Sequence, residues 1–477
     1  MSHGALLGIA AAGVGLLLLL ILWGKVQPFV ALVVVSVGVA LVAGVPAADL
    51  VKTIEEGMGA TLGHIATIIA LGAMVGRIIE LSGGAHAFAH SLIDRFGSRR
   101  TPFALTVAGF VLGIPVFFEV GLIILMPIAY GVARASRKPL LVYALPMGAA
   151  MLTVHAFLPP HPGAVAGIEA IGASQGLVLL MGIPVTAAVV VLGYSASRRM
   201  TRREYPMDPA VRAEVYGEED NSADLDGGSP SPGAGDGHGT AVLTRPSPAE
   251  TGVRPPSFGM VLALIVTPIL LILLGTIGEN ALAEGSTPRA VLTVLGAPMV
   301  ALLVDVALCG WLLGARRGWD RSRIADVMGS ALPPVAMVIL VAGAGGVFGK
   351  VLVASGIGDA IADTLERTGL PALFLAFFTA LALRAAQGSA TVALITTAGI
   401  LTPLLERAGL STGQLSLVAL SMGAGALTLS HINDAGYWMF TRLAGLDVAS
   451  GLRTWTVLTT VMGFAGFGLT AALWPVV

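Results

Sequence analysis

Runs of about twenty apolar residues recur along the chain between short polar clusters, and a helix of that length matches a hydrocarbon core of about 30 Å. They predict membrane spans at 5–23, 28–45, 61–81, 140–167 and 176–197. A second set follows at 258–278, 291–314, 331–353, 414–440 and 454–474. Residues 5–23 lack a basic leader and a convincing cleavage site, so they read as a retained first span rather than a signal peptide. Shorter amphipathic stretches are expected at 84–97 and 358–368. Two more apolar stretches, 101–135 and 372–404, are long but interrupted. Gly113, Pro115 and Glu119 break the first, and the string Arg384-Ala-Ala-Gln-Gly-Ser-Ala-Thr391 breaks the second.

Basic residues decide how the interrupted stretches lie, because Lys and Arg collect in cytoplasmic loops. Lys25, Arg95, Arg99, Arg100, Arg134, Arg137 and Lys138 fall on one side, with Arg198, Arg199, Arg202 and Arg203. Arg316, Arg317, Arg321, Arg323, Arg442 and Arg453 join them. This holds only if 101–135 and 372–404 each enter and leave by the same face, as re-entrant helical hairpins. Irregular backbone at that depth requires surrounding protein or a water-filled cavity. The fold expected is therefore an all-α polytopic membrane protein of two inverted repeats, 1–197 and 258–477, each with about five spans plus one re-entrant hairpin. Both termini then face outward.

Internal similarity supports the duplication. Ala-Leu-Pro-Met-Gly-Ala-Ala-Met-Leu-Thr-Val at 144–154 returns as Ala-Leu-Ser-Met-Gly-Ala-Gly-Ala-Leu-Thr-Leu at 419–429. Gly72, Gly76, Ser82 and Gly83 return as Gly345, Gly349, Ser355 and Gly356. Paired, Gly/Pro-broken apolar segments in two halves mark a secondary transporter whose site lies between the repeats. Between the halves, residues 198–257 combine an arginine cluster, an acidic run at Glu218-Glu219-Asp220 and a Gly/Ser/Pro-rich tract, the composition of a disordered cytoplasmic linker.

Composition agrees with this plan. Hydrophobic residues make up 55% of the 477 and charged residues 12%, against about 25% charged in soluble domains. A net charge of −1 gives no reason to expect a nucleic-acid partner. The single cysteine, Cys309, cannot form an intrachain disulfide, and no Cys/His spacing suggests a metal, so neither metal nor cofactor is expected. No ATP-binding Gly-x-x-x-x-Gly-Lys-[Ser/Thr] string occurs, which favours coupling to an ion gradient.

The candidate chemistry lies at the breaks. Glu119 stands alone in an apolar hairpin, where a carboxylate must be paired, hydrated or protonated, and it reads as a proton carrier or a cation partner. His155-Ala-Phe-Leu-Pro-Pro-His-Pro-Gly163 places His155 and His161 around prolines that free backbone carbonyls. In the second hairpin, Gly388 belongs to a small-residue turn that opens a helix, leaving N–H groups that bind anions. Ser389 and Thr391 add hydroxyls there, and Gln387 adds an amide. Arg384 either pairs with a substrate carboxylate or is neutralised by an acid such as Glu119 or Asp434. Ser430-His431-Ile432-Asn433-Asp434 forms the matching break, where Asn433 can donate and accept while Asp434 accepts. Asp434 and His155 stand behind Glu119 as proton-coupling candidates. Asp305 sits alone in its span and has no partner that the sequence names.

The strings Phe-Phe-Glu-Val-Gly at 117–121, His-Ala-Phe-Leu-Pro-Pro-His-Pro-Gly at 155–163, Gly-Ser-Ala-Thr-Val-Ala at 388–393 and Ser-His-Ile-Asn-Asp-Ala-Gly-Tyr-Trp at 430–438 resemble the gluconate:proton symporter (gluconate permease) family. The resemblance covers nearly the whole chain except the linker, which is long and acidic compared with the short connection usual in that family. It implies a bacterial inner-membrane importer of gluconate or a related aldonate with protons. It also implies a homodimer of the ion transporter superfamily, with a scaffold and an elevator-like transport domain. Rival readings are a sodium- or proton-coupled carrier of another small organic acid or D-serine, and an intramembrane enzyme using Glu119, Asp434 and the histidines.

Overall fold

The computed structural model describes residues 1–216, 255–360, 363 and 371–477. Among these, nine helical stretches are long and apolar enough to cross a membrane. The β pairing among the described residues is an isolated bridge between Met207 and Leu446. The chain opens with α1 (His3–Leu22), α2 (Pro28–Val42), α3 (Ala47–Leu81) and α4 (Gly84–Phe96). The first hairpin is α5 (Thr101–Leu112) and α6 (Phe118–Ser136), followed by α7 (Leu141–Phe157), α8 (Pro162–Ala170), α9 (Gln175–Met200) and α10 (Pro209–Tyr216).

The later part begins with α11 (Phe258–Ala281), α12 (Thr287–Gly296), α13 (Pro298–Cys309), α14 (Arg321–Gly329) and α15 (Leu332–Ala354). The second hairpin is α16 (Ala372–Gln387) and α17 (Ala390–Arg407). It leads to α18 (Thr412–Leu427), α19 (Ala435–Leu443), α20 (Val448–Gly451) and α21 (Val457–Leu473). Hairpin, interrupted helix and long closing helix thus occur in the same order in both parts.

Several elements differ from the hydropathy reading for local reasons. Helix α3 starts at Ala47 rather than near 61. Its first turns carry Lys52 and Glu56, which lower the hydropathy but pair with each other at 3.9 Å, while Glu56 also meets Lys350 at 3.2 Å. The span expected at 291–314 divides where Pro298 opens α13, a position that suits proline's missing N–H. Ordered structure also reaches into the stretch expected as a linker. Helix α10 packs on α6, with Val215 buried and the Arg134 guanidinium donating to the Val215 carbonyl at 2.7 Å. The rest of that linker, 217–254, lies outside the described residues, as does most of the amphipathic stretch at 358–368.

Two packed groups organise the molecule. One core joins α1, α2, α3 and α15. Small residues let α3 and α15 approach closely: a Cβ on Gly346 would fall 1.9 Å from Thr61 Oγ1 and 2.6 Å from the Gly57 carbonyl. The larger core gathers both hairpins with α7, α9, α18 and the closing helix α21. Both open ends of the first hairpin lie at the C-terminal end of α9. Phe103, at the start of α5, sits edge-on to Tyr194 with centroids 5.6 Å apart, and Arg134, at the end of α6, reaches Val215 beyond α9. The hairpin tip therefore points to the opposite end, into the protein.

Helix α11 separates the end of the 198–257 segment from the α11–α12 turn by a rise of about 36 Å. Cysteines at Arg203 and Glu284 are expected to react with impermeant maleimide from opposite faces of the membrane, against a low background because Cys309 is buried. Labelling of both from one face would overturn the crossing of α11.

Candidate functional site

Four interruptions of helical backbone converge on one cavity of about 210 Å³. Phe118 and Glu119 reach it from the start of α6, and Leu152 and His155 from the end of α7. Gln387 through Thr391 come from the second hairpin tip, and Asn433 through Gly436 from the second break, with Arg384 between them. Three helix N-termini, those of α6, α17 and α19, open onto this space. Unpaired N–H groups and the helix dipole make such ends favourable for negative charge.

The second hairpin turns because Gly388 adopts φ +81° and its N–H caps the Arg384 carbonyl at 2.9 Å. A Cβ there would fall 2.1 Å from the Asn433 carbonyl oxygen, so the turn requires glycine for its conformation and for its closeness to the second break. Ser389 then starts α17 as its N-cap, accepting from the Val392 N–H at 3.3 Å. Its hydroxyl proton remains available to an acceptor in the cavity.

Arg384 is 1% exposed and ion-paired with Asp434, and it also donates to the Gly388 carbonyl. Of the sequence alternatives, this is pairing within the site, with Asp434 rather than Glu119. Asp434 is further occupied. Ser430 donates to it, and it accepts from the Gly436 N–H at 3.0 Å as the cap of α19. Trp455 Nε1 in turn donates to Ser430 Oγ at 2.7 Å. Asn433 Nδ2 donates to the carbonyls of Ala385 and Ala386 at 2.7 and 3.0 Å, tying the break to the end of α16.

Glu119 has no ion pair within 4 Å among the described residues and faces the cavity from the first turn of α6. His155 presents a buried Nδ1 without a protein partner. Gln387 is the most exceptional group: both its amide nitrogen and its amide oxygen are buried and unpartnered. Buried polar atoms are nearly always satisfied, so two such atoms on a cavity wall call for partners from the cavity, water or ligand.

Nine candidates read from the sequence therefore meet on the wall: Glu119, His155, Arg384, Gln387, Gly388, Ser389, Thr391, Asn433 and Asp434. Three others stand behind it. His161 is buried against His155, with ring centroids 4.4 Å apart, and its Nε2 bonds the Gly113 carbonyl at the first hairpin tip. Ser430 supports Asp434, and His431 Nε2 lies 3.1 Å from the Ala385 carbonyl. The sequence reading missed Leu152 and Phe118 on the wall, and Trp455 behind it. All three are ordinary apolar or aromatic span residues by sequence, and only the packing singles them out. Among the described residues no group of three or more His, Cys, Asp or Glu side chains is placed to hold a metal.

The comparisons with known proteins settle the family. The sequence matches the GntP family permease over residues 5–230 and 244–477. This chain belongs to that family. It is 46% identical to the inner membrane permease YgbN of Escherichia coli (strain K12) over 477 residues, all of both chains. It is 36% identical to the gluconate permease of Bacillus licheniformis over 466 residues, 98% of each. The fold is similar to that of the Alcanivorax borkumensis YdaH transporter, with a TM-score of 0.62 at 14% identity, covering 94% of this chain and 99% of that one. The permease is thus a multi-pass helical membrane transport protein rather than an enzyme.

Gly388→Ala is expected to insert in the membrane normally and to lose uptake. The left-handed backbone alone costs about 1–2 kcal/mol, and the clash with Asn433 pushes the two halves of the site apart. Uptake equal to the parent at matched membrane expression would show that the tip tolerates displacement.

Proposed function

We propose that this permease imports gluconate or a closely related aldonate together with protons across the bacterial inner membrane. The observation that carries the reading is the Gln387 amide, buried, unpartnered and set beside three helix N-termini. An aldonate has the two features such a wall selects: a carboxylate for the helix ends and a row of hydroxyls for an amide that donates and accepts. A cavity of about 210 Å³ also falls below the ~300–1,000 Å³ typical of sites for drug-sized ligands. The gluconate permease relative supports the same cargo.

Individual roles follow from what each group has free. Thr391, the Ser389 hydroxyl and the first turn of α17 take the carboxylate. Gln387, His155 Nδ1 and the Asn433 oxygen take hydroxyls. Arg384 is held by Asp434 and supplies positive potential more than a direct fork. Glu119 is the carboxylate left without an ion pair, and it is assigned the coupling proton ahead of Asp434 and His155. Protonation and sugar-acid binding then help each other, because two anions in one small cavity repel, and linkage makes the effect reciprocal. Both hairpins, with the interrupted helices α7–α8 and α18–α19, are proposed to move together against α1–α3 and α11–α15. On this reading 1–197 and 258–477 are inverted repeats, the segment between them is cytoplasmic, both termini lie outside, and two copies form the working dimer.

Gln387→Leu separates a binding role from a structural one. It removes a buried, unsatisfied amide, so the thermal midpoint of the empty protein is expected to stay or rise. Gluconate affinity should fall by about 1.5–3 kcal/mol if the lost contact is to the charged group, and by about 0.5–1.5 if to a hydroxyl. Unchanged affinity in purified protein would remove Gln387 from the site, and transport of citrate or D-serine with no transport of aldonates would overturn the cargo. Glu119→Gln is expected to bind and exchange gluconate while failing to concentrate it on an imposed pH gradient in proteoliposomes. Accumulation equal to the parent would move the coupling role to Asp434, and accumulation driven by a sodium gradient instead would replace the proton.

A further inference from the structure

A second buried carboxylate lies away from the cavity, and the cavity mechanism does not use it. Asp305 is on α13 and is fully buried, and its Oδ2 has no hydrogen-bond partner. It lines a separate space of about 20 Å³ whose other walls are almost wholly apolar. Val75 approaches from α3, Ile269 from α11 and Leu179 from α9, while Ile114 and Pro115 come from the first hairpin tip. The prolines of the first break, Pro159 and Pro160, close the remaining side. Among the described residues, no Lys, Arg or His lines this space. The polar neighbours are Gln175, whose amide nitrogen donates to Glu169, and Cys309 one turn along α13, with Sγ 4.0 Å from Asp305 Oδ1. Among the described residues, Cys309 is the titratable group in direct contact with Asp305, and Glu169 stands behind Gln175.

An ionised carboxylate in such surroundings, with no counter-charge among the described residues and only the weak Cys309 thiol as a donor, is strongly disfavoured, and the neutral acid is the form that fits. Room of about 20 Å³ is also enough for about one water and far too little for an organic acid, so the ligand such a place can accept is a proton. Its position gives that proton a use. Asp305 and the α11 and α3 walls belong to helices outside the cavity, whereas Ile114, Pro115, Pro159 and Pro160 belong to the hairpin and break that build the cavity. The residue sits in the seam between them, and the hairpin tip, the proline break and Gln175 and Leu179 of α9 close its side toward the cavity-bearing unit.

We infer that Asp305 is a proton-binding site of its own, separate from the sugar-acid cavity, which holds its proton while the first hairpin tip covers it and exchanges it when that tip withdraws. Chemically the step is a protonation equilibrium: the carboxyl O–H breaks, the proton passes to water admitted by the opened seam, and the carboxylate left behind is hydrated. Reclosure requires a proton to return. The seam thereby adds a proton dependence to the transport cycle beyond any at Glu119.

The direct test uses the unmodified protein. Dicyclohexylcarbodiimide reacts with protonated carboxyls in apolar surroundings, and its adduct is located by peptide mass spectrometry after treatment of proteoliposomes. An adduct on Asp305 is expected near neutral pH. This experiment needs no substrate, so it stands apart from the identity of the cargo. The companion test is Asp305→Asn, an uncharged amide of nearly the same shape. It is expected to bind gluconate as the parent does, while the ratio of uptake at about pH 6 to that at about pH 8, two decades of proton activity apart, falls several-fold. A pH profile of Asp305→Asn that overlays the parent's would overturn the inference.

Discussion

The ion pair between Arg384 and Asp434 is the contact on which the site depends. It joins the end of α16 to the start of α19, two backbone interruptions that sequence separates by 50 residues. Removing one partner from a buried pair typically costs about 3–5 kcal/mol, because the other charge is left uncompensated. Here the surroundings complete the pair. Ser430 and the Gly436 N–H satisfy Asp434, Trp455 fixes Ser430, and the Gly388 carbonyl takes a second guanidinium donor. Asp434 is thus fully engaged, whereas Glu119 faces the same cavity with no ion pair among the described residues.

Around that pair the two parts of the chain pack crosswise. The first break lies on the second hairpin: a Cβ on Gly163 of α8 would fall 2.9 Å from Thr391 Cα. The second break lies on the first hairpin, with Gly436 against the Phe118 ring. Each hairpin tip is thus buttressed by the interruption from the other part of the chain. The arrangement answers the membrane's main demand, since backbone groups freed at a break must find partners in protein or water. Asn433 capping α16 and His161 holding the Gly113 carbonyl are instances of the same solution. Proton chemistry at Asp305 would use the seam that this compact unit makes with its frame, whereas the proposed chemistry at Glu119 would use the cavity within it.

Much of this was legible before any coordinates. Apolar run lengths located the helices, the prolines at 159, 160 and 162 marked the first break, and Gly388 marked the second hairpin turn. Polar residues in apolar runs named the other eight members of the wall that the sequence picked out, because a polar group at that depth needs a reason. Legibility stopped where the signal was ordinary. Charged first turns hid the true start of α3, and Val215 and Tyr216 gave no warning that α10 would pack on α6. Leu152 and Trp455 look like any other span residues.

What the sequence determined by itself was the class of protein, the interrupted helices and the residue types available at each break, because hydropathy, proline and glycine act locally. Which of those residues face one another was decided only by tertiary structure. Arg384 had Glu119 and Asp434 as possible partners and took Asp434. His161 and Ser430 turned away from the cavity to hold its wall, and Gln387 turned toward it unpartnered. Asp305, which had no partner by sequence, lies in an apolar seam under the first hairpin tip. These outcomes rest on contacts between segments far apart in the chain, and local propensity carries no information about which segment will supply the other half of a buried polar pair.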